Sequence, residues 1–395
     1  MTRGEQPPGA APYRSRSAAE VLMFLLSRQI TTRREIAEHT GLSAAAVTKA
    51  LRPMLEAGLI AETSLPRGSG VGAGRPTQQV RIVGSRVTVL GIKLTADEVI
   101  AVVTNLSGVI IEQVRHPLPE PVGTLDVDPV INEVAAVVAD LSGRHRLDRV
   151  GVAISGDVDT ERGVVVLSPL LGWRDVPFAE RLASMIGPPV IIDNDIRALT
   201  AAEQAFGDAF GIDNFAVVTI GEGIGCGLVI GGQVLRGAFG VAGELGHMII
   251  NAAGLPDADA TAGRPQLGQI ERMISRQAVM LRAEGAVSTE PQSFAELITA
   301  AAAGDTAAGR LLEAVGGELG IGIANVVNLI GPQRLVISSE GFDLDSAFGD
   351  LVDEVIRRHA FGQAAQVEII HREIPFSEWA RGAAVVALTR QVLPS

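Results

Sequence analysis

The chain has 395 residues, enough for two or three domains with cores of their own. It carries 33 basic and 45 acidic residues, a formal net charge of −12, and no apolar run of about 18 residues that would cross a membrane. The single cysteine, Cys226, excludes an intrachain disulfide and any zinc site built on three cysteines.

Residues 1–16 are polar and rich in Pro, Gly and Arg, with no apolar core of the signal-peptide kind, and read as a disordered lead of a cytoplasmic protein. Charge is unevenly placed. Residues 1–85 hold 11 basic and 6 acidic side chains, whereas the remainder holds 22 and 39. A basic head on an acidic body directs a polyanion to the head alone.

Within residues 17–84, Val21, Leu22, Leu25 and Leu26 recur at helical spacing. Thr31 and Thr32 are candidate caps for a second helix over Arg33–His39. A turn at Thr40-Gly-Leu-Ser43 follows, and Ser43 can cap a third helix. That helix buries Val47, Leu51 and Leu55 and exposes Ala45, Thr48, Lys49 and Arg52, with Pro53 expected to end or kink it. A strand from Gly58, a glycine-rich tip and a strand over Gln78–Val83 form a wing that carries Arg75 between Gly74 and Pro76. This is a winged helix-turn-helix pattern. Ser43, Ala45, Thr48, Lys49 and Arg52 face a major groove, and Arg75 a minor groove, of double-stranded DNA. A protein-binding three-helix module with a hairpin is the alternative.

From Arg86 the pattern turns to strands. A three-stranded meander over residues 87–114, a helix near 129–141, a buried strand over 149–154, a helix near 179–186 and a strand over 190–192 form one α/β half. A second meander opens another at Phe215–Ile220, with a strand at Arg334–Ser338 later. Two α/β halves that open alike suggest an actin-like, two-lobed body with a cleft. The expected lobes are 86–195, completed by a C-terminal helix near 378–392, and 196–377.

The motifs Gly151-Val-Ala-Ile-Ser-Gly156, Ser168-Pro-Leu-Leu-Gly-Trp173, Asp193-Asn-Asp195, the Gly221–Gly227 turn, Gly243-Glu-Leu-Gly-His247 and Ile270-Glu271 follow one another in order. In this the body resembles the ROK family of bacterial sugar kinases and sugar-responsive repressors, and the winged helix in front resembles the repressor branch. The resemblance implies that Gly156, Asn194, Asp195, Glu244, His247 and Glu271 hold a sugar, with Asp195 a vestigial kinase base. Clustered oxygen acceptors beside an imidazole suit a ligand with many hydroxyls. Leu170 stands where the family often has a sugar-contacting Asn.

The phosphate side departs from the kinase pattern. Lys93 stands where an Asp would orient Mg²⁺, Glu222 where a Thr is usual, and Ser338-Ser-Glu-Gly341 where a glycine pair is expected. The stretch Ala262–Gln269 lacks the family's zinc cysteines. The expectations are therefore no zinc, no ATP, no catalytic activity, and a mobile loop over Ala253–Pro265. The chain reads as a sugar-responsive repressor, a homodimer or homotetramer switched by cleft closure, with an active sugar kinase bearing an added DNA-binding head as the rival.

Overall fold

The computed structural model describes residues 16–64, 78–118, 127–251, 268–287, 291–339, 344 and 346–390. It divides into two compact units, residues 1–210 with 376–395, and residues 211–375.

The first unit begins with the head. Helix α1 (Arg16–Arg28) leads through the short strand β1 (Ile30–Thr32) into α2 (Arg33–Thr40) and α3 (Ala44–Glu56). Strands β2 (Ile60–Ser64) and β3 (Gln78–Ile82) complete the head in a sheet of order β1-β3-β2, antiparallel throughout. Its helix limits are chemical. Thr32 accepts from Glu35 N–H while the Glu35 carboxylate accepts from Thr32 N–H, a reciprocal cap. Gly41, at φ 67°, closes α2 in the left-handed region. Helix α3 continues through Pro53 to Glu56, so the proline does not end it.

The body of this unit has strands β4 (Thr88–Leu94), β5 (Glu98–Asn105) and β6 (Ile110–Pro117), helix α4 (Val127–Arg144) and strand β7 (Arg149–Ile154). Next come the short strands β8 (Asp157–Asp159), β9 (Val164–Ser168) and β10 (Trp173–Val176), helix α5 (Phe178–Ala183), strand β11 (Val190–Asn194) and helix α6 (Asp195–Phe206). The main sheet has the order β11-β7-β4-β5-β6, and β8 to β10 form a small antiparallel sheet of their own.

The second unit repeats the plan. Strands β12 (Phe215–Ile220), β13 (Ile224–Ile230) and β14 (Gln233–Val234) precede helices α7 (Ile270–Ile274), α8 (Arg276–Ala283), α9 (Phe294–Ala302) and α10 (Thr306–Ile330). Strand β15 (Arg334–Ser339), helix α11 (Ala347–His359) and strand β16 (Glu368–His371) follow. The order β14-β13-β12-β15-β16 matches that of the first sheet: an antiparallel meander whose first strand pairs with a parallel strand, which in turn pairs with a second parallel strand. Helix α10 is long and apolar enough to cross a membrane by length and composition, but Leu312, Val315, Leu319, Ile323 and Val327 lie in this unit's core.

Helix α12 (Phe376–Arg390) belongs to the first unit and lies on β4 and β7. Gly91 and Gly151 allow this. A Cβ on either would stand about 2 Å from a carbonyl of α12, that of Ala380 or Ala383. On its other side Gly382 meets α6 at Ala198, again with no room for a Cβ. Helix α6 is thereby bound to the first unit, so the division falls after Phe210 and not after Asp195 as expected. The head is not separate from this body. Leu22, Leu25, Ile36, Leu51 and Val80 share one apolar cluster with Val89, Leu106, Ala384 and Leu388. Leu106 N–H donates to the Gly84 carbonyl at 2.9 Å, and Arg86 Nε donates to the Ala57 carbonyl at 2.9 Å.

Candidate DNA-binding head and sugar site

Helix α3 buries Val47, Ala50, Leu51 and Met54 and exposes Ser43, Ala45, Thr48, Lys49 and Arg52. Three of the exposed residues have partners within the head. The Ser43 hydroxyl accepts from Ala46 N–H at 3.2 Å, the cap that starts the helix. The Thr48 hydroxyl donates to the Ala44 carbonyl and accepts from Arg33, which also pairs with Glu62. Arg52 pairs with Glu56 one turn on. Arg33, the first residue of α2 directly after its Thr32 cap, is an additional cation on this face. Arg75 and the wing tip lie outside the described residues.

In the first unit the motif residues meet at the carboxyl end of the parallel strands, where open α/β sheets place ligands. Asn194 ends β11 and caps α6 through a bond from Arg197 N–H to its side-chain oxygen at 3.0 Å. Its amide donates to the Gly156 carbonyl at 2.9 Å. Gly156 has φ 116°, and a Cβ there would stand 2.2 Å from the Leu167 carbonyl oxygen, so the turn requires glycine. Asp193 holds the assembly from beneath. One of its oxygens accepts from Thr160 at 2.9 Å, from Arg197 Nε at 2.8 Å and from Asn194 N–H at 2.9 Å. Arg197 also donates to the Val158 carbonyl at 3.0 Å. Arg197 and Thr160 were absent from the sequence reading, although Asp193 and Arg197 stand at helical i,i+4 spacing.

Asp195 opens α6 and is buried. One carboxylate oxygen accepts from Ile196 N–H at 2.8 Å, and the other is ion-paired with Lys93 on β4, whose side chain is only 5% exposed. The Lys93 ammonium lies 5.1 Å from the ring centre of Trp379 on α12. Nearby Asp157 has its carboxyl held above the usual range, chiefly by burial. Leu170 is exposed.

In the second unit the turn between β12 and β13 is held by charge. Glu271, on α7, accepts from Ile224 N–H at 3.0 Å, and its carboxylate lies close beneath Gly223 and Gly246. Glu244 directly precedes and His247 ends a single 3₁₀ turn, Leu245–His247. Gly243, at φ 92°, brings this segment against β13, and a Cβ there would stand 2.1 Å from the Cys226 carbonyl oxygen. Burial, with the charge of Glu244 beside it, pushes the Cys226 thiol up to about 12.

Glu222 differs from the expectation of a bare carboxylate in the turn. It pairs with Arg276, whose backbone N–H also donates to the Gly221 carbonyl at 2.9 Å. The repulsion toward phosphate expected from Glu222 alone is therefore offset. Arg276 lies 54 residues on, and no local spacing in the sequence points to it. Among the described residues no group of three or more His, Cys, Asp or Glu could hold a metal ion. The stretch 252–267, which covers the expected mobile loop and most of the zinc-cysteine region, lies outside them, as do Glu340 and Gly341.

Residues 89–390 match the ROK family, and residues 25–61 match a winged helix-turn-helix DNA-binding family. The chain belongs to the ROK family. It is 28% identical to a putative xylose repressor of Caldicellulosiruptor sp. (strain Rt8B.4) over 388 residues, 94% of each chain. It is 26% identical to the DNA-binding transcriptional dual regulator NagC of Escherichia coli (strain K12) over 333 residues, 83% of this chain and 81% of that one. Its fold matches a ROK family transcriptional regulator described as a homologue of the E. coli MLC protein. That match has a TM-score of 0.73 and 24% identity, covering 95% of this chain and 98% of the other. A ROK hexokinase from Thermus thermophilus matches at TM-score 0.65 and 28% identity, over 77% of this chain and 99% of the enzyme. The enzyme thus matches about as much of the chain as the ROK body makes up, while the regulators named as repressor and NagC extend further.

Proposed function

We propose that this ROK protein is a transcriptional regulator, a repressor of carbohydrate uptake or catabolic genes, whose hold on operator DNA answers to a sugar. One observation carries the reading: a capped helix-turn-helix with Lys49 and Arg52 exposed shares an apolar core with a ROK body. Gly156, Asn194 and Asp195 supply the sugar contacts of the first unit, and Glu244, His247 and Glu271 those of the second. Helix α6 starts at Asp195, and its last residue, Phe206, packs against the core that α1 shares. A sugar that orders the start of α6 thereby acts on the head, to the extent that it binds the two DNA-affinity states unequally. The regulator acts in the cytoplasm as a homodimer or homotetramer, because winged helices read paired half-sites.

The protein works without ATP or zinc. The pairing of Asp195 with Lys93 supports the first point, since a carboxylate tied to an ammonium is not free to take a proton from an attacking hydroxyl. The likeness to a hexokinase favours the rival reading of a working kinase. Selection of DNA fragments on the full-length protein separates the readings, together with a coupled assay of hexoses with Mg-ATP. The expected result is enrichment of one operator sequence with no turnover. Turnover of about 1–100 per second, as kinases show, would establish the rival.

A further inference from the structure

Lys93 is a lysine inside a sheet, on a strand that is otherwise apolar apart from its first residue. An ammonium there is tolerated only when its charge and its donors are matched. It has three N–H donors and no acceptor. Its described acceptor is one oxygen of Asp195, and one face of the ammonium rests toward the Trp379 ring. Trp379 Nε1, also buried, has no hydrogen-bond partner among the described residues. One of the three Lys93 donors has a described acceptor, and each Asp195 oxygen keeps a second lone pair beside its one described bond.

A group that both accepts and donates fits this point: it can take a bond from Lys93 and give one to Asp195. A sugar hydroxyl does both. A phosphoryl group does not suit it, because the Lys93 charge is already matched by Asp195 and added negative charge would face the carboxylate. We propose that Lys93 is a specificity-determining residue of the effector site. It donates to the same hydroxyl that Asp195 accepts from, and it selects an uncharged sugar over its phosphate ester. This rests on the reading that Asp195 binds a sugar.

The test is calorimetric titration of the full-length protein, with tryptophan fluorescence as a second readout, since Trp379 is one of only two tryptophans. The probes are D-xylose, D-glucose, N-acetyl-D-glucosamine and the 6-phosphates of the last two. Lys93→Met and Asp195→Asn each strand a buried charge when made alone, so each is first checked for native circular dichroism, and the comparison is Asp195→Asn against the charge-neutral Lys93→Met/Asp195→Asn. If Lys93 contacts the sugar, the double variant binds the best probe at least about tenfold more weakly than the single one, the loss expected for one hydrogen bond from a charged donor. If Lys93 were only the counter-ion of Asp195, removing it once Asp195 is neutral would leave affinity unchanged or improved, and that result overturns the proposal alone. A 6-phosphate that binds the wild type more tightly than its parent sugar overturns the preference for uncharged ligands. No binding of any probe to the wild type overturns the sugar-effector reading and this inference with it.

Discussion

The proposed sugar contacts of the two units are built differently. In the first unit Asn194 and Asp195 are fixed by buried ion pairs, Asp193 with Arg197 and Asp195 with Lys93, and by a glycine turn with no spare room. In the second unit Glu244 is exposed, His247 is half-buried, and the neighbouring ion pair of Glu222 with Arg276 is more than half exposed on both sides. The first arrangement fixes geometry at the expense of desolvating charges. The second desolvates its charges far less. A buried pair is costly to break because one charge is stranded, whereas an exposed pair loses little.

That contrast can be broken by substitution. Arg197→Met strands the Asp193 carboxylate, which is 1% exposed, and should lower stability by about 3–5 kcal/mol in urea unfolding. A loss under about 1 kcal/mol would remove the distinction between the units. In the head, Lys49→Ala and Arg52→Ala should each reduce by about one the slope of log affinity against log salt for DNA, with sugar affinity unchanged. Unaltered slopes would place the DNA on another face. Thr32→Ala removes half of the reciprocal cap of α2 and should cost about 1 kcal/mol by thermal or urea unfolding.

The same cap has a pH signature. The Thr31 hydroxyl first, and then Thr32 N–H, hold the Glu35 carboxyl below its usual range. Its contribution is complete above the ordinary carboxylate range and is lost as the pH falls through the lowered value. The stability difference between wild type and Glu35→Ala should therefore shrink in acid; a difference that grows would contradict the assignment. The smallest effect belongs to Arg276→Met, about 0–1 kcal/mol, because solvent already screens its pair with Glu222.

Features set by neighbours in sequence were legible before any coordinates. Thr32, Gly41 and Ser43 mark the ends of α2 and α3 by local chemistry, and the apolar periodicity marks the buried face of α3. The paired meanders also declared themselves, because alternation and turn residues are local signals. Strands β1 and β8 have three residues each, too few to show a period, and β16 is only half-buried. Pro53 does not end α3, because an apolar face with Leu51 and Met54 outweighs the one backbone bond that proline removes. The pairing of Lys93 with Asp195 spans 102 residues, so the sequence showed Lys93 only as a lost magnesium ligand. The 195/196 boundary failed for a related reason: α6 stays with the first unit through Gly382 of α12, nearly 200 residues away.

The claim that joins these parts is that a sugar at Asp195 changes what the head does. It is tested most directly by titrating the selected operator fragment with full-length wild type and Asp195→Asn at one fixed salt concentration, with and without D-xylose, D-glucose or N-acetyl-D-glucosamine. One of these sugars should shift the wild-type DNA affinity about tenfold or more, while the variant binds the operator equally well and needs at least about tenfold more of that sugar for the same shift. A wild-type affinity that no sugar moves, or a folded Asp195→Asn protein that no longer binds DNA, would contradict it.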